Sequence, residues 1–285
     1  MTWWCSARGV SWDWTWRAYP GVWLVVAAVA SAYLWANAKL DPTDAATPRQ
    51  KRLFVAGLLC CWIAADWPVG ALGAGYLLSL HQLQFVLFAM IGPPLIILGV
   101  PAASWRRALS APLVRRVAQV LTRPVLLLVA FNVIVITSHL PEVVDGLMTS
   151  QLGTFALDFA WIAAGFALWW PVISPVPEIN GLTYPGRFAF LIASILLPAA
   201  PPLFLIFADY PLYGVYELAP PIGILSAGSD QLIGGLIMKL GSAVAVVTAA
   251  TIIFFKWHAA DGGDEFAVVY RDRLPAHEKG MGDRG

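Results

Sequence analysis

The sequence predicts an all-α fold: a polytopic membrane helix bundle of about seven transmembrane helices, N-terminus outside and C-terminus cytoplasmic. Three observations carry that expectation. Of the 285 residues, 59% are hydrophobic and only 12% charged, against roughly 25% charged residues in a soluble globular chain. Seven apolar stretches are each long enough to cross roughly 30 Å of hydrocarbon, which takes about 20 helical residues. Lysine and arginine fall almost wholly on alternate loops. This composition leaves little chain outside the lipid bilayer. It excludes a disordered hub, a disulfide scaffold and a nucleic-acid binder.

Residues 1–20 read as a periplasmic or interfacial N-terminal segment, with Trp3, Trp4, Trp12, Trp14 and Trp16 suited to the headgroup layer. Met1 to Pro20 has no basic stretch leading into an apolar one, so no cleavable signal is expected there. The seven-helix membrane domain covers 21–257, with spans near 21–38, 53–73, 75–100, 124–141, 152–173, 188–208 and 232–255. Pro68, Gly70, Gly73 and Gly75 supply the turn between the second and third spans. Pro93-Pro94 in the third span, and Pro198 with Pro201-Pro202 in the sixth, predict kinks whose freed carbonyls neighbouring helices must satisfy. Residues 102–123 read as one amphipathic cytoplasmic helix with its arginines near anionic headgroups. Residues 258–285 read as a charged, disordered cytoplasmic tail. Cys60 and Cys61 are neighbours on one helix, and with Cys5 they form no CxxC pattern; they read as small hydrophobes.

The orientation follows from the basic residues. With an odd number of spans, one side holds Arg8 and Arg17, two in all, and the other holds fifteen, from Lys39 through Arg116 and Arg187 to Arg284. The basic side is cytoplasmic by the positive-inside rule. The outer half is net acidic, carrying Asp13, Asp66, Glu142, Asp145, Asp158, Asp209, Glu217 and Asp230. Such a face can attract cations or a basic partner, and it can equally reflect the ordinary shortage of Lys and Arg outside.

Ionisable residues within spans are expensive and mark candidate sites. Asp66, His81, Asp158 and Lys239 come from four different spans, yet the topology sets them in one layer roughly 9–10 Å below the outer surface. Gln84 shares a helix face with His81, and His139 closes the fourth span at the outer edge. Two interpretations stay open. Each residue satisfies a local neighbour or snorkels outward, or together they form a polar pocket for a metal, a proton path or an internal ion pair.

With these residues placed, the chain resembles the CtaG family of multi-pass bacterial cytochrome c oxidase assembly proteins. The resemblance is carried by Ser79-Leu80-His81-Gln82-Leu83-Gln84-Phe85 running into Gly92-Pro93-Pro94-Leu95 and Leu98-Gly99-Val100-Pro101. Gly165 with Trp169-Trp170-Pro171, and Asp230-Gln231 before Gly234-Gly235-Leu236-Ile237-Met238, extend it over about residues 20–257. The chain also departs from the family pattern. Phe85 stands where a second histidine of the third span is expected, Thr154 and Asp158 stand for a histidine pair in the fifth, and Lys239 replaces an aromatic residue. Three of four expected imidazoles are absent, and imidazole is a favoured copper ligand.

The resemblance implies a non-enzymatic assembly factor for haem-copper oxidase in the bacterial inner membrane, linked to copper delivery at the outer face. Its implied partners are oxidase subunits or other copper chaperones. A residual copper site would draw on His81, Asp158 and His139, supported by Gln84, Asp66, Lys239, Asp230 and Gln231. The loss of imidazoles counts against it, and in the competing view the Lys239 ammonium replaces the cation and pairs with Asp158. Two other functions fit the composition: a small ion, proton or metal transporter using the polar layer, or a ligand-free scaffold for oxidase subunits. No serine–histidine arrangement, phosphate-binding glycine loop or metallohydrolase motif is present to suggest an enzyme.

Overall fold

The computed structural model describes residues 2–273, and all its regular structure is helical. In chain order the helices are α1 (Pro20–Ala38), α2 (Pro48–Ala65), α3 (Val69–Gly75) and α4 (Leu78–Phe85). A π-helical segment, Val86–Ile91, joins α4 to α5 (Gly92–Gly99). There follow α6 (Ala102–Ala108), α7 (Pro112–Leu121), α8 (Pro124–Thr137), α9 (Pro141–Met148) and α10 (Gln151–Ile173). The last are α11 (Tyr184–Leu196), α12 (Ala200–Phe207), α13 (Gly214–Glu217) and α14 (Ala227–Arg273).

Local chemistry sets the helix starts. Proline occupies the first turn of α1, α2, α7, α8 and α9, where its missing N–H would be unsatisfied in any case. Thr47 closes a capping box with Gln50 at the head of α2. Five helical stretches are long and apolar enough to cross a membrane, or seven if two bent pairs each count as one span. One pair is α2 with α3, bent by 46°, and the other α7 with α8, bent by 64°. The upper count matches the expected number of spans, with α4 to α5 and α11 to α12 forming the third and sixth.

The single amphipathic helix expected over 102–123 is two helices. α6 stops at Ala108, and Ala111, held extended by the following Pro112, separates it from α7. At the other end of the chain α14 runs past residue 257, the expected limit of the membrane domain, to Arg273. The rest of the expected tail, with His277, Lys279 and Arg284, lies outside the described residues.

Contacts sort the connections to two ends of the bundle. Arg107 bonds the Lys39 carbonyl, Arg106 pairs with Glu178 at 2.7 Å, and Asn180 donates to the Gln119 carbonyl at 2.7 Å, gathering the basic loops. At the opposite end Ala7 N–H donates to the Met148 carbonyl at 2.9 Å, and Gly214 and Val215 donate to Asp145 at 3.0 and 2.9 Å.

Two carbonyls freed by proline receive side-chain donors from other helices. In α4–α5, Pro93 and Pro94 stand four and five residues after Ala89, so neither an α nor a π bond can reach the Ala89 carbonyl. The Trp169 indole, on α10, donates to it at 3.0 Å. Gly165 brings α10 close enough: a Cβ there would lie 2.6 Å from the same carbonyl. The motif pieces Pro93-Pro94 and Gly165–Trp169 thus meet as one packing joint. Pro68 likewise leaves the Ala64 carbonyl without its helical donor, and the Gln84 side-chain amide supplies one at 2.9 Å.

Candidate functional site

Helix α4 begins at Leu78, whose preceding residue offers no side-chain cap. Asp230, at the start of α14 and 3% exposed, takes that place: Leu78 N–H donates to it at 2.5 Å, and Ser79 N–H at 3.3 Å. A carboxylate at a helix N-terminus satisfies orphan donors and opposes the helix dipole. Gln231 beside it accepts from Leu212 N–H at 2.7 Å and donates to the Tyr210 carbonyl at 3.1 Å. Both residues therefore dock α14 against α4 and the 208–213 loop.

One turn into α4, His81 is buried among aromatic rings. Its ring centroid lies 4.7 Å from that of Trp161 and 5.6 Å from that of Tyr216. Neither ring nitrogen has a hydrogen-bond partner among the described residues. Tyr216 is itself fixed by donating to the Gly73 carbonyl at 2.6 Å. Gly73 is required here, because a Cβ on it would collide with the Gln84 side chain.

His139 also packs on Trp161, its ring stacked at 5.7 Å. Its Nδ1 sits 2.7 Å from the Val135 carbonyl, so Nδ1–H donates there. Its Nε2 lies 3.2 Å from Oε1 of the Gln82 side-chain amide. In a neutral ring Nε2 accepts, which is served when the NH₂ end of that amide points to it. Trp161 donates to Ser138 Oγ at 2.9 Å, and Tyr213 to the His139 carbonyl at 2.8 Å. Phe85, at the place of the expected second histidine, packs edge-on to His139 at 5.1 Å and to Trp161 at 5.6 Å. Thr154, at another such place, bonds its own helix through the Ser150 carbonyl.

Asp158 is 3% exposed and accepts from the Trp4 indole at 2.8 Å. Part of the N-terminal segment is therefore integral to the bundle: Trp4 and Cys5 are buried, while Trp14 and Trp16 stay exposed. Asp66, half-buried, accepts from the indoles of Trp23 and Trp62, both at 2.8 Å, and from Trp67 N–H at 2.9 Å. Lys239 is exposed on α14 and makes no ion pair among the described residues. Asp158 and Lys239 border different pockets, so the structure does not form the pair inferred from their matching depths. Depth along a helix says nothing of the direction a side chain takes around it.

The structure thus joins His81 and His139 through Trp161, and leaves Asp66, Asp158 and Lys239 apart from them. Among the described residues no group of three or more His, Cys, Asp or Glu is placed to hold a metal ion. Gln82, Trp161, Tyr213 and Tyr216 belong to the polar layer and were not singled out in the sequence. Gln82 lies inside the recognisable third-span segment and was the one open to detection. Trp4 carried no signal, since its role depends on a partner 154 positions away.

The fold and this layer define a polytopic α-helical membrane protein whose buried polar groups tie its spans together near one end. The family model described as cytochrome c oxidase caa3 assembly factor matches residues 31–260. The chain belongs to that family of assembly factors, which links it to cytochrome oxidase assembly and not to enzymatic catalysis. No curated protein and no solved structure matched it.

Proposed function

We propose that this protein serves haem-copper cytochrome c oxidase assembly as a membrane scaffold for oxidase subunits, without a resident copper centre. The observation that carries the proposal is the engagement of the candidate ligands. His139 is committed at both nitrogens, Asp158 is held by Trp4, and the acids Asp66 and Asp230 accept from indole or backbone N–H groups. These groups are consumed by the fold. The family membership supplies the oxidase.

Copper delivery at the outer face is the second reading, and one observation favours it: both His81 ring nitrogens are without hydrogen-bond partners among the described residues. A lone imidazole among Trp161 and Tyr216 does not fit a closed copper site, which calls for several soft or imidazole donors. The orientation we infer is N-terminus outside and C-terminus cytoplasmic, in the bacterial inner membrane. The clustering of Lys39, Arg106, Arg107 and their neighbours at one end supports it through the positive-inside rule.

Deleting the gene and measuring assembled oxidase, its activity and its copper content, with and without added copper, separates the readings. A scaffold loss lowers the amount of oxidase, leaves copper per oxidase unchanged and is not repaired by copper, and His81→Ala complements the deletion. Repair by copper together with failure of His81→Ala would establish delivery instead. Unchanged oxidase in the deletion strain would overturn both.

A further inference from the structure

We propose that a pocket beside Lys239 binds a long-chain carboxylate, a free fatty acid, entering sideways from the bilayer. The pocket has a volume of about 320 Å³ and lies between α4 with its π-helical continuation, α8, α10, α14 and the joint of α11 with α12. Its floor is apolar and closed: Phe85, Phe131, Val135, Leu168 and Met238 are each at most 3% exposed. Its rim is open to the lipid side, with Leu196 66% and Leu240 60% exposed. The opening has a cause in the sequence. Pro198, Pro201 and Pro202 interrupt the sixth span, so α11 ends at Leu196 and α12 begins at Ala200, and no continuous ridge fills the gap.

Size and charge choose the occupant. Sites for small ligands are clefts of about 300–1,000 Å³, mostly apolar with a few polar groups that fix orientation. A partner helix, about 10–12 Å across with its side chains, cannot enter such a pocket; a single alkyl chain can. The two chains of a phospholipid exceed it. Lys239 is the one charged side chain among the lining residues, and it makes no ion pair among the described residues. It stands within the last span, about 18 Å along α14 from Ala227 at 1.5 Å per residue, where an ammonium facing lipid requires an anion or must snorkel outward. A fatty carboxylate meets that ammonium while its tail fills the apolar floor. Ser194 is no competing anchor, since its hydroxyl donates to the Leu191 carbonyl.

The test uses the full chain in nanodiscs of neutral phospholipid, with diazirine-bearing palmitate as the probe. Diazirine-bearing hexadecanol and phosphatidylglycerol serve as the neutral and the phospholipid arms. Palmitate should label peptides covering 194–202 and 238–243, and excess unlabelled palmitate should compete. Lys239→Met should lower that labelling about tenfold, as loss of one charge-assisted contact predicts, and Lys239→Arg should keep it. Ala199→Trp, which narrows the mouth with the lysine intact, should lower it too. Equal labelling by hexadecanol, preferential labelling by phosphatidylglycerol, or labelling unchanged in Lys239→Met would overturn the proposal.

Discussion

The indole of Trp4 donates to Asp158 Oδ2 at 2.8 Å, and both residues are 3% exposed. This bond fastens the N-terminal segment to the first half of α10, and two further bonds assist: Trp3 N–H donates to the Gln151 side chain at 2.7 Å and Ala7 N–H to the Met148 carbonyl at 2.9 Å. The carboxylate is thereby satisfied without a cation. Trp4→Phe keeps the ring and removes the donor, so it should destabilise the protein by about 1–3 kcal/mol. Thermal unfolding in detergent of Trp4→Phe, Asp158→Asn and the double variant should show a coupling of at least about 0.5 kcal/mol. Strict additivity would mean the bond contributes nothing.

Lys239 and Asp158 should behave independently, because they border separate pockets. The stability changes of Lys239→Met and Asp158→Asn should add within about 0.5 kcal/mol. A larger coupling in the same unfolding assay would restore the ion pair that their depths suggested.

The two buried histidines should respond in opposite ways to an apolar replacement of similar size. His81 has no hydrogen-bond partner to lose among the described residues, so His81→Leu should change stability by less than about 1 kcal/mol or raise it. His139→Leu abandons the Val135 carbonyl and the Gln82 amide, and should cost about 1–3 kcal/mol. Unfolding midpoints of the two variants side by side decide it.

At the packing joint of the third and fifth spans, Trp169→Phe should orphan the Ala89 carbonyl at a cost of about 1–3 kcal/mol. Pro93→Ala restores a backbone N–H four residues along. The double variant should therefore recover part of the loss, and a double variant no better than Trp169→Phe would show that the indole acts by packing alone.

Outside the membrane, the Arg106 guanidinium hydrogen-bonds Glu178 and holds its carboxyl below the ordinary glutamate range. A carboxylate lowered in the folded state adds stability that is present above its unfolded value and is lost as pH falls through the folded one. Both side chains are well exposed, so the effect should be small and weaken with salt. In an NMR titration of labelled glutamate, Arg106→Ala should move the Glu178 midpoint upward. No movement would mean the pair does not persist in solution.

The sequence by itself determined the helical membrane class and the family, and its seven apolar runs meet the upper end of the five to seven spans the helices allow, because apolar run length and short ordered motifs are properties of the chain read along its length. It also located the proline breaks, and with them the demand for outside donors. It located Asp66, His81, Asp158 and Lys239 by depth alone. Only the tertiary structure decided which side chains meet. It gave Asp158 to Trp4 instead of Lys239, left Lys239 exposed on α14, and packed both His81 and His139 against Trp161. It also assigned Gln84 and Trp169 to the carbonyls of Ala64 and Ala89. The reason is geometric: a position in sequence fixes height along a helix, whereas partnership depends on the rotation of each helix about its axis and on neighbours distant in the chain. Those are set only when the whole bundle packs.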